Sequence, residues 1–161
     1  MNDYIIGRVW LFGNDVSIEA ILPSKVLYKQ EILNKNDIMQ FVLEDYYKDW
    51  YKYVRKGDII VAGENFGWGS SRPAPRILKK MGIECIVAES VSRLFFRNAI
   101  SVGIPIVLCK DISKYLKNKD YIKVDIIKGI IEISKDNIVK HGIGIPKGSP
   151  PYEIIQKGGI V

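Results

Sequence analysis

Gly57-Asp-Ile-Ile-Val-Ala-Gly-Glu-Asn-Phe-Gly-Trp-Gly-Ser-Ser-Arg-Pro-Ala-Pro-Arg-Ile-Leu-Lys-Lys-Met-Gly82 is the stretch whose reading decides the fold. Ile59 to Ala62 is a short apolar run rich in β-branched residues, the composition of a strand buried on both faces. Gly63, Gly67 and Gly69 then permit a tight loop through backbone angles that other residues resist. Pro73 suits the first helical position, because its missing N–H would be orphaned there anyway. Ile77, Leu78 and Met81 give the helix an apolar side, and Gly82 stands where a terminating glycine belongs. Strand, glycine loop and helix together put the hydroxyls of Ser70 and Ser71 and the guanidinium of Arg72 at a helix N-terminus. Beside free main-chain N–H groups, that is a place for an anion.

Working outward, Ile83–Ala88 reads as a second buried strand. Ser90 is the expected N-cap of a helix over Val91–Val102 that Gly103 closes, with Val91, Leu94, Phe95 and Ala99 on its apolar face. Ile104–Leu108 is a third strand. The alternation predicts an α/β fold with a parallel β-α-β-α-β core. On the N-terminal side, Tyr4–Phe12 is a strand and Gly13-Asn14-Asp15 a turn. Ser24–Asn36 is hard to place and reads as a mobile loop plus a short helix. Asp37–Val54 has helical spacing and a dense run of Tyr and Trp. Those aromatics could stack on bases, but packing against the core or a partner is the stronger reading. Tyr121–Ile127 and Ile130–Ser134 form a hairpin through Lys128-Gly129. From about residue 139 the glycines and prolines predict an irregular tail. The whole of 1–161 reads as one domain.

The 161 residues carry a formal charge of +6, with 47% hydrophobic and 26% charged residues, the balance of an ordinary globular domain. The lysines are scattered or paired, without a long run, which argues against a nucleic-acid partner. Cys85 and Cys109 lie in apolar runs and read as buried thiols. With the single His141 they do not supply a cysteine-rich metal site, so no metal is assigned to this chain. No signal-peptide pattern and no membrane-length apolar run is visible, so no membrane contact and a cytoplasmic location are expected.

The chemistry rests on Ser70, Ser71 and Arg72. A serine hydroxyl becomes a base only where a cation and N–H donors stabilise its alkoxide in a site closed to water. Arginine clamps carboxylates with two parallel bonds. The plainer alternative has Ser71 capping the helix and Arg72 in a surface ion pair. The loop lacks the lysine ending of a P-loop, and Gly67-Trp68-Gly69-Ser70-Ser71 is not a nucleophile elbow.

Gly63-Glu-Asn-Phe-Gly-Trp-Gly-Ser-Ser-Arg72, the run Ile83 to Ile100 (with Ser90-Val-Ser-Arg-Leu-Phe-Phe-Arg-Asn-Ala99) and Gly103-Ile-Pro-Ile106 resemble the small subunit of 3-isopropylmalate dehydratase. Its relatives include the homoaconitase and dimethylmalate dehydratase small subunits and the swivel domain of aconitase. The opening Gly7 to Asp15 and Ile21-Leu-Pro23 are similar too, so the resemblance covers most of residues 4–108. It implies a swivelling domain with a small barrel-like sheet. It further implies a hydro-lyase of leucine biosynthesis, or a homoaconitase- or dimethylmalate-like relative, that isomerises a hydroxy diacid by dehydration and rehydration. Such an enzyme works only as a heteromer, with a [4Fe–4S] cluster on the large subunit and no cofactor on this chain. In isolation the chain could form a homo-oligomer. By motif Ser70 is the base, Ser71 helps hold the substrate, and Arg72 clamps a carboxylate of a di- or tricarboxylate.

The sequence departs from the family at several points. Trp68 stands where relatives usually have cysteine, and Pro73-Ala74-Pro75 where they have Glu-His-Ala. Ser17-Ile18-Glu19 replaces an early Thr-Asp motif, keeping only the carboxylate. Lys25, in the segment that reads the substrate side chain in relatives, is a candidate contact for an extra carboxylate. These changes open an alternative, a degenerate or regulatory small subunit that binds a partner or an anion without turnover.

Overall fold

The computed structural model describes residues 3–28, 38–70 and 72–160. In chain order the described elements are β1 (Tyr4–Leu11), α1 (Ile18–Ile21), α2 (Ser24–Tyr28), α3 (Trp50–Tyr53), β2 (Ile59–Ala62), α4 (Ala74–Met81), β3 (Cys85–Ala88), α5 (Arg93–Ser101), β4 (Ile106–Leu108), a 3-10 turn (Ile112–Tyr115), β5 (Tyr121–Asp125), β6 (Ile130–Ile133), β7 (Ile138–His141) and α6 (Pro150–Gln156).

The strands form one sheet in the order β4-β3-β2-β1-β5-β6-β7. β1 joins its two halves. Val9 to Leu11 run parallel to Ile59 to Val61 of β2, while Tyr4 to Arg8 run antiparallel to β5. The parallel core therefore has four strands, and the barrel-like part continues it across β1. The sheet curls until its ends meet. Beyond β7, Ile143 exchanges two main-chain hydrogen bonds with Leu108 of β4, at 2.6 and 3.1 Å.

Period-two alternation assigns the two faces. Val9, Ile59, Val61, Cys85, Val87, Ile122, Val124, Ile131 and Ile133 point into the curl. Trp10, Ile60, Ala62, Ile86 and Ala88 point outward under α4 and α5. β2 and β3 are buried at every position, which explains why they read as unbroken apolar runs. Across the sheet, Arg8 and Asp58 form a buried ion pair at 2.9 Å. Asp58 also accepts from Trp10 Nε1 and Arg55 N, both at 2.8 Å.

Four expectations change. Asp37–Val54 is not one continuous helix: among the described residues 38 and 39 are helical, residues 40 to 49 form turns, and the short α3 follows. Leu43 and Asp49 take left-handed backbone angles that no helix continues through. Aromatic packing sets this path. Trp10, Phe12, Tyr47 and Trp50 meet edge to face, and the Tyr47 hydroxyl donates to Leu11 O. Secondly, Ser92, not Ser90, caps α5, accepting from Phe95 N. Val91 is taken by a bridge to Phe66, and Leu94 faces solvent. Thirdly, α4 begins at Ala74, with Pro73 as its N-cap and Pro75 inside the first turn. Fourthly, the tail contributes β7 and α6. Its glycines serve close packing: a Cβ on Gly142 would lie 2.3 Å from Leu108 O, and one on Gly144 2.2 Å from Ile127 O. The short helix read within Ser24–Asn36 is α2, and residues 29–36 lie outside the described residues.

Candidate active site

The loop Gly63–Arg72 leaves β2 at its C-terminal end, where ligands bind in open α/β sheets. It is stitched to two other segments. From the turn after β1, Asn14 Oδ1 accepts from Glu64 N at 2.8 Å. A Cβ on Gly63 would sit 1.9 Å from that oxygen, so a larger residue there would displace the Asn14 amide from its bond to Glu64 N. Gly67 N donates to Val16 O at 2.7 Å and Ile18 N to Trp68 O at 2.8 Å. From the segment before α5, Ser90 Oγ accepts from Asn65 N at 2.8 Å and Ser92 Oγ donates to Gly67 O at 3.0 Å. Ser90 and Ser92 thus tie the loop to the sheet, which the helix-cap reading of Ser90 does not foresee.

Ser70 is exposed at the tip of this frame, and no described residue hydrogen-bonds its hydroxyl. A hydroxyl in water is a poor base. Ser71 lies outside the described residues. The expected row of main-chain donors is thinned, because Pro73 and Pro75 carry no N–H.

Arg72 is mostly buried and pairs with Glu19. Nη1 lies 2.5 Å from Glu19 Oε2 and also approaches Leu22 O at 3.4 Å. No described residue accepts from Nε or Nη2, so one edge of the planar fork stays open. The pair stands between two clefts. One, of about 370 Å³, is lined by Arg72, Pro73, Pro75, Arg76, Asn98 and Ser101.

Glu19, which the motif reading noted only as a surviving carboxylate, lies against Arg72. It accepts from Ser24 N at 3.0 and 3.2 Å and from Ser24 Oγ at 3.2 Å, besides Arg72. The main-chain bond from Ser24 holds its carboxyl below the usual range, with the Arg72 charge adding to it against partial desolvation. Pro23 and Ser24 turn the chain back over α1, so Glu19 and Ser24 meet although five residues apart.

Lys25 is exposed and lines the second cleft, of about 360 Å³, with Ser17, Glu19, Phe41, Glu44 and Asp45. Its ammonium shares that cleft with three carboxylates, an unfavourable setting for a further anion. Trp68 is half-exposed, and its indole N–H donates to Asp15 O at 2.9 Å.

The residues of this chain do not fit an iron–sulfur cluster, which takes thiolate ligands. Burial pushes the Cys85 thiol up to about 12 and raises the Cys109 thiol as well. Among the described residues no three His, Cys, Asp or Glu side chains gather as a metal site. Nor is any described helix long and apolar enough to cross a membrane.

The family model for the aconitase C-terminal domain matches residues 14–110. The isopropylmalate/citramalate isomerase small subunit of Methanocaldococcus jannaschii is 42% identical over 162 residues, covering 100% of this chain and 94% of that protein. The 3-isopropylmalate dehydratase small subunit 1 of Thermotoga maritima is 40% identical over 158 residues, covering 98% and 92%. The crystal structure of 3-isopropylmalate dehydratase from M. jannaschii superposes with a TM-score of 0.85 at 35% identity, covering 97% of this chain and 90% of that one. Sheet, loop and full-length likeness agree, and the chain belongs to the aconitase C-terminal domain family, among the 3-isopropylmalate dehydratase small subunits.

Proposed function

We propose that this chain is the small subunit of a heteromeric hydro-lyase that isomerises a hydroxy diacid in branched-chain amino-acid biosynthesis. Its partner is a large subunit carrying a [4Fe–4S] cluster, which supplies the Lewis acid for the leaving hydroxyl. Ser70 takes a proton from the carbon next to the one bearing that hydroxyl. Proton and hydroxide leave as water, a carbon–carbon double bond forms, and water returns with the two positions exchanged. The open edge of Arg72 holds a substrate carboxylate and Ser71 assists in holding the substrate, while Lys25, which shares its cleft with Glu19, Glu44 and Asp45, is assigned no substrate contact. Docking on the large subunit closes Ser70 off from water, which its role as a base requires. The cytoplasm is the expected location.

The observation that carries this reading is the likeness, over the full chain, to proteins named as small subunits of this enzyme. The test is co-purification with the cluster-bearing large subunit from the same organism, then anaerobic hydration assays with isopropylmaleate, citraconate and cis-aconitate. Turnover by the complex, none by the chain alone, and loss on Ser70→Ala are expected. A stable complex that turns over none of the acids would sink the proposal.

A further inference from the structure

The two clefts beside the Glu19–Arg72 pair differ in charge. The one that Lys25 borders is lined by three carboxylates, those of Glu19, Glu44 and Asp45. The other, of about 370 Å³, is lined by Arg72 and Arg76 with Asn98 and Ser101, and by no acidic residue. Glu19 takes Nη1 of Arg72 and borders the first cleft, whereas Arg72 lines the second and not the first. The open edge of its fork therefore belongs to the cleft it shares with Arg76. Arg76 is exposed, and no described residue pairs with its guanidinium. Its place on the backbone is fixed, because Ala74, Pro75, Ile77 and Leu78 around it are buried. Pro73 and Pro75 in the cleft wall offer no N–H, which leaves the two guanidiniums as its strongest donors to an anion.

We infer that this cleft receives a dicarboxylate, one acid group on the open edge of Arg72 and the other on Arg76, so that Arg76 is a specificity residue for the second carboxylate of the substrate. The inference rests on the hydro-lyase reading above. A diacid keeps two negative charges throughout the reaction. A cleft with two cations and no acidic side chain compensates both, where the neighbouring cleft would repel them. The planar fork of arginine matches a carboxylate with two parallel bonds. The volume suits a small organic acid. Arg76 sorts acids by their number of carboxylates and takes no part in the proton transfer, which stays with Ser70.

Binding to the assembled complex is measured by isothermal titration with succinate and with butyrate, which has a methyl group in place of one carboxylate. Wild type, Arg76→Gln and Arg76→Lys are compared, and turnover of citraconate and isopropylmaleate is followed on the same preparations. Wild type is expected to favour succinate. Arg76→Gln should weaken succinate about tenfold, the scale of one hydrogen bond between charged groups, and leave butyrate nearly unchanged. A structural role for Arg76 would weaken both acids alike. Arg76→Lys, which keeps the charge and loses the fork, should recover only part of the difference. A succinate-to-butyrate ratio unmoved by Arg76→Gln, or fully restored in Arg76→Lys, overturns the contact, and continued turnover would leave the hydro-lyase reading intact. A ratio that falls in Arg76→Gln while the wild-type complex turns over neither acid supports the dicarboxylate cleft and overturns the hydro-lyase reading.

Discussion

Glu19 Oε2 lies 2.5 Å from Arg72 Nη1, and the same carboxylate accepts from the main chain and the hydroxyl of Ser24. One acidic side chain therefore fixes both the cationic end of the glycine loop and the start of α2. The arrangement aims the open edge of the guanidinium away from Glu19.

Glu19→Gln tests this. The amide keeps the size and loses the charge, so Arg72 gains freedom it must give up when substrate binds. A rise in KM of roughly tenfold with kcat nearly unchanged is expected in the assembled enzyme, the pattern of lost ground-state binding. Because the folded-state carboxyl titrates below its ordinary value, the ion pair is present above that value and is lost as pH falls through the lowered one. Wild type in acid should therefore drift toward the variant's KM. Equal KM values for the two proteins at neutral pH would remove Glu19 from the site.

Arg8→Met leaves the Asp58 carboxylate buried without its cation. Loss of one partner from such a pair costs about 3–5 kcal/mol. Urea unfolding should show it as a lower midpoint at constant slope. A shift under about 1 kcal/mol would mean that the bonds from Trp10 and Arg55 to Asp58 suffice alone.

Gly67→Ala combines a left-handed backbone angle with a Cβ set against the Phe95 ring. The conformation alone costs about 1–2 kcal/mol, and overpacking adds to it. Destabilisation of about 2 kcal/mol or more should come with loss of turnover in the complex. Gly148→Ala is the contrast, since it also has positive φ but open space around it. A variant at 67 no worse than that at 148 would remove Phe95 as the constraint.

The thiols of Cys85 and Cys109 should resist alkylation in the native protein at mildly alkaline pH and react on denaturation, read by intact mass. The Cys85 value is raised on folding, so the unfolded chain loses its proton first. Stability from this group is whole below the ordinary thiol value and falls as pH rises from there toward about 12. Rapid native labelling of Cys85 would show that the β3 interior opens readily.

The sequence is most legible where one pattern admits one structure. Ile59–Ala62 and Cys85–Ala88 are apolar at every position, and burial on both faces is the plain way to satisfy that. It is least legible where a distant contact chooses between equal local options. Ser90 and Ser92 are equally good caps, and Phe66, 25 residues before Val91, decides between them by pairing with it. The aromatics from Tyr46 to Tyr53 keep a helical spacing, but Trp10 and Phe12 draw them into turns. Gly142 and Gly144 look like loop residues, though what they accommodate is a neighbouring backbone. At the site, Ser70 and Arg72 stand out by motif. The Glu19–Arg72 pair spans 53 positions and has no local signature.

The bond pair between Leu108 and Ile143 has a consequence for synthesis. The glycine loop and all four parallel strands lie within the first 108 residues, yet the free edge of β4 has no partner until residue 143 has been made. During translation the nascent chain thus presents an unpaired strand edge while its glycine loop is already complete. The last section of the chain acts as a clasp, and a ribosome that stops short of it releases a protein primed to aggregate.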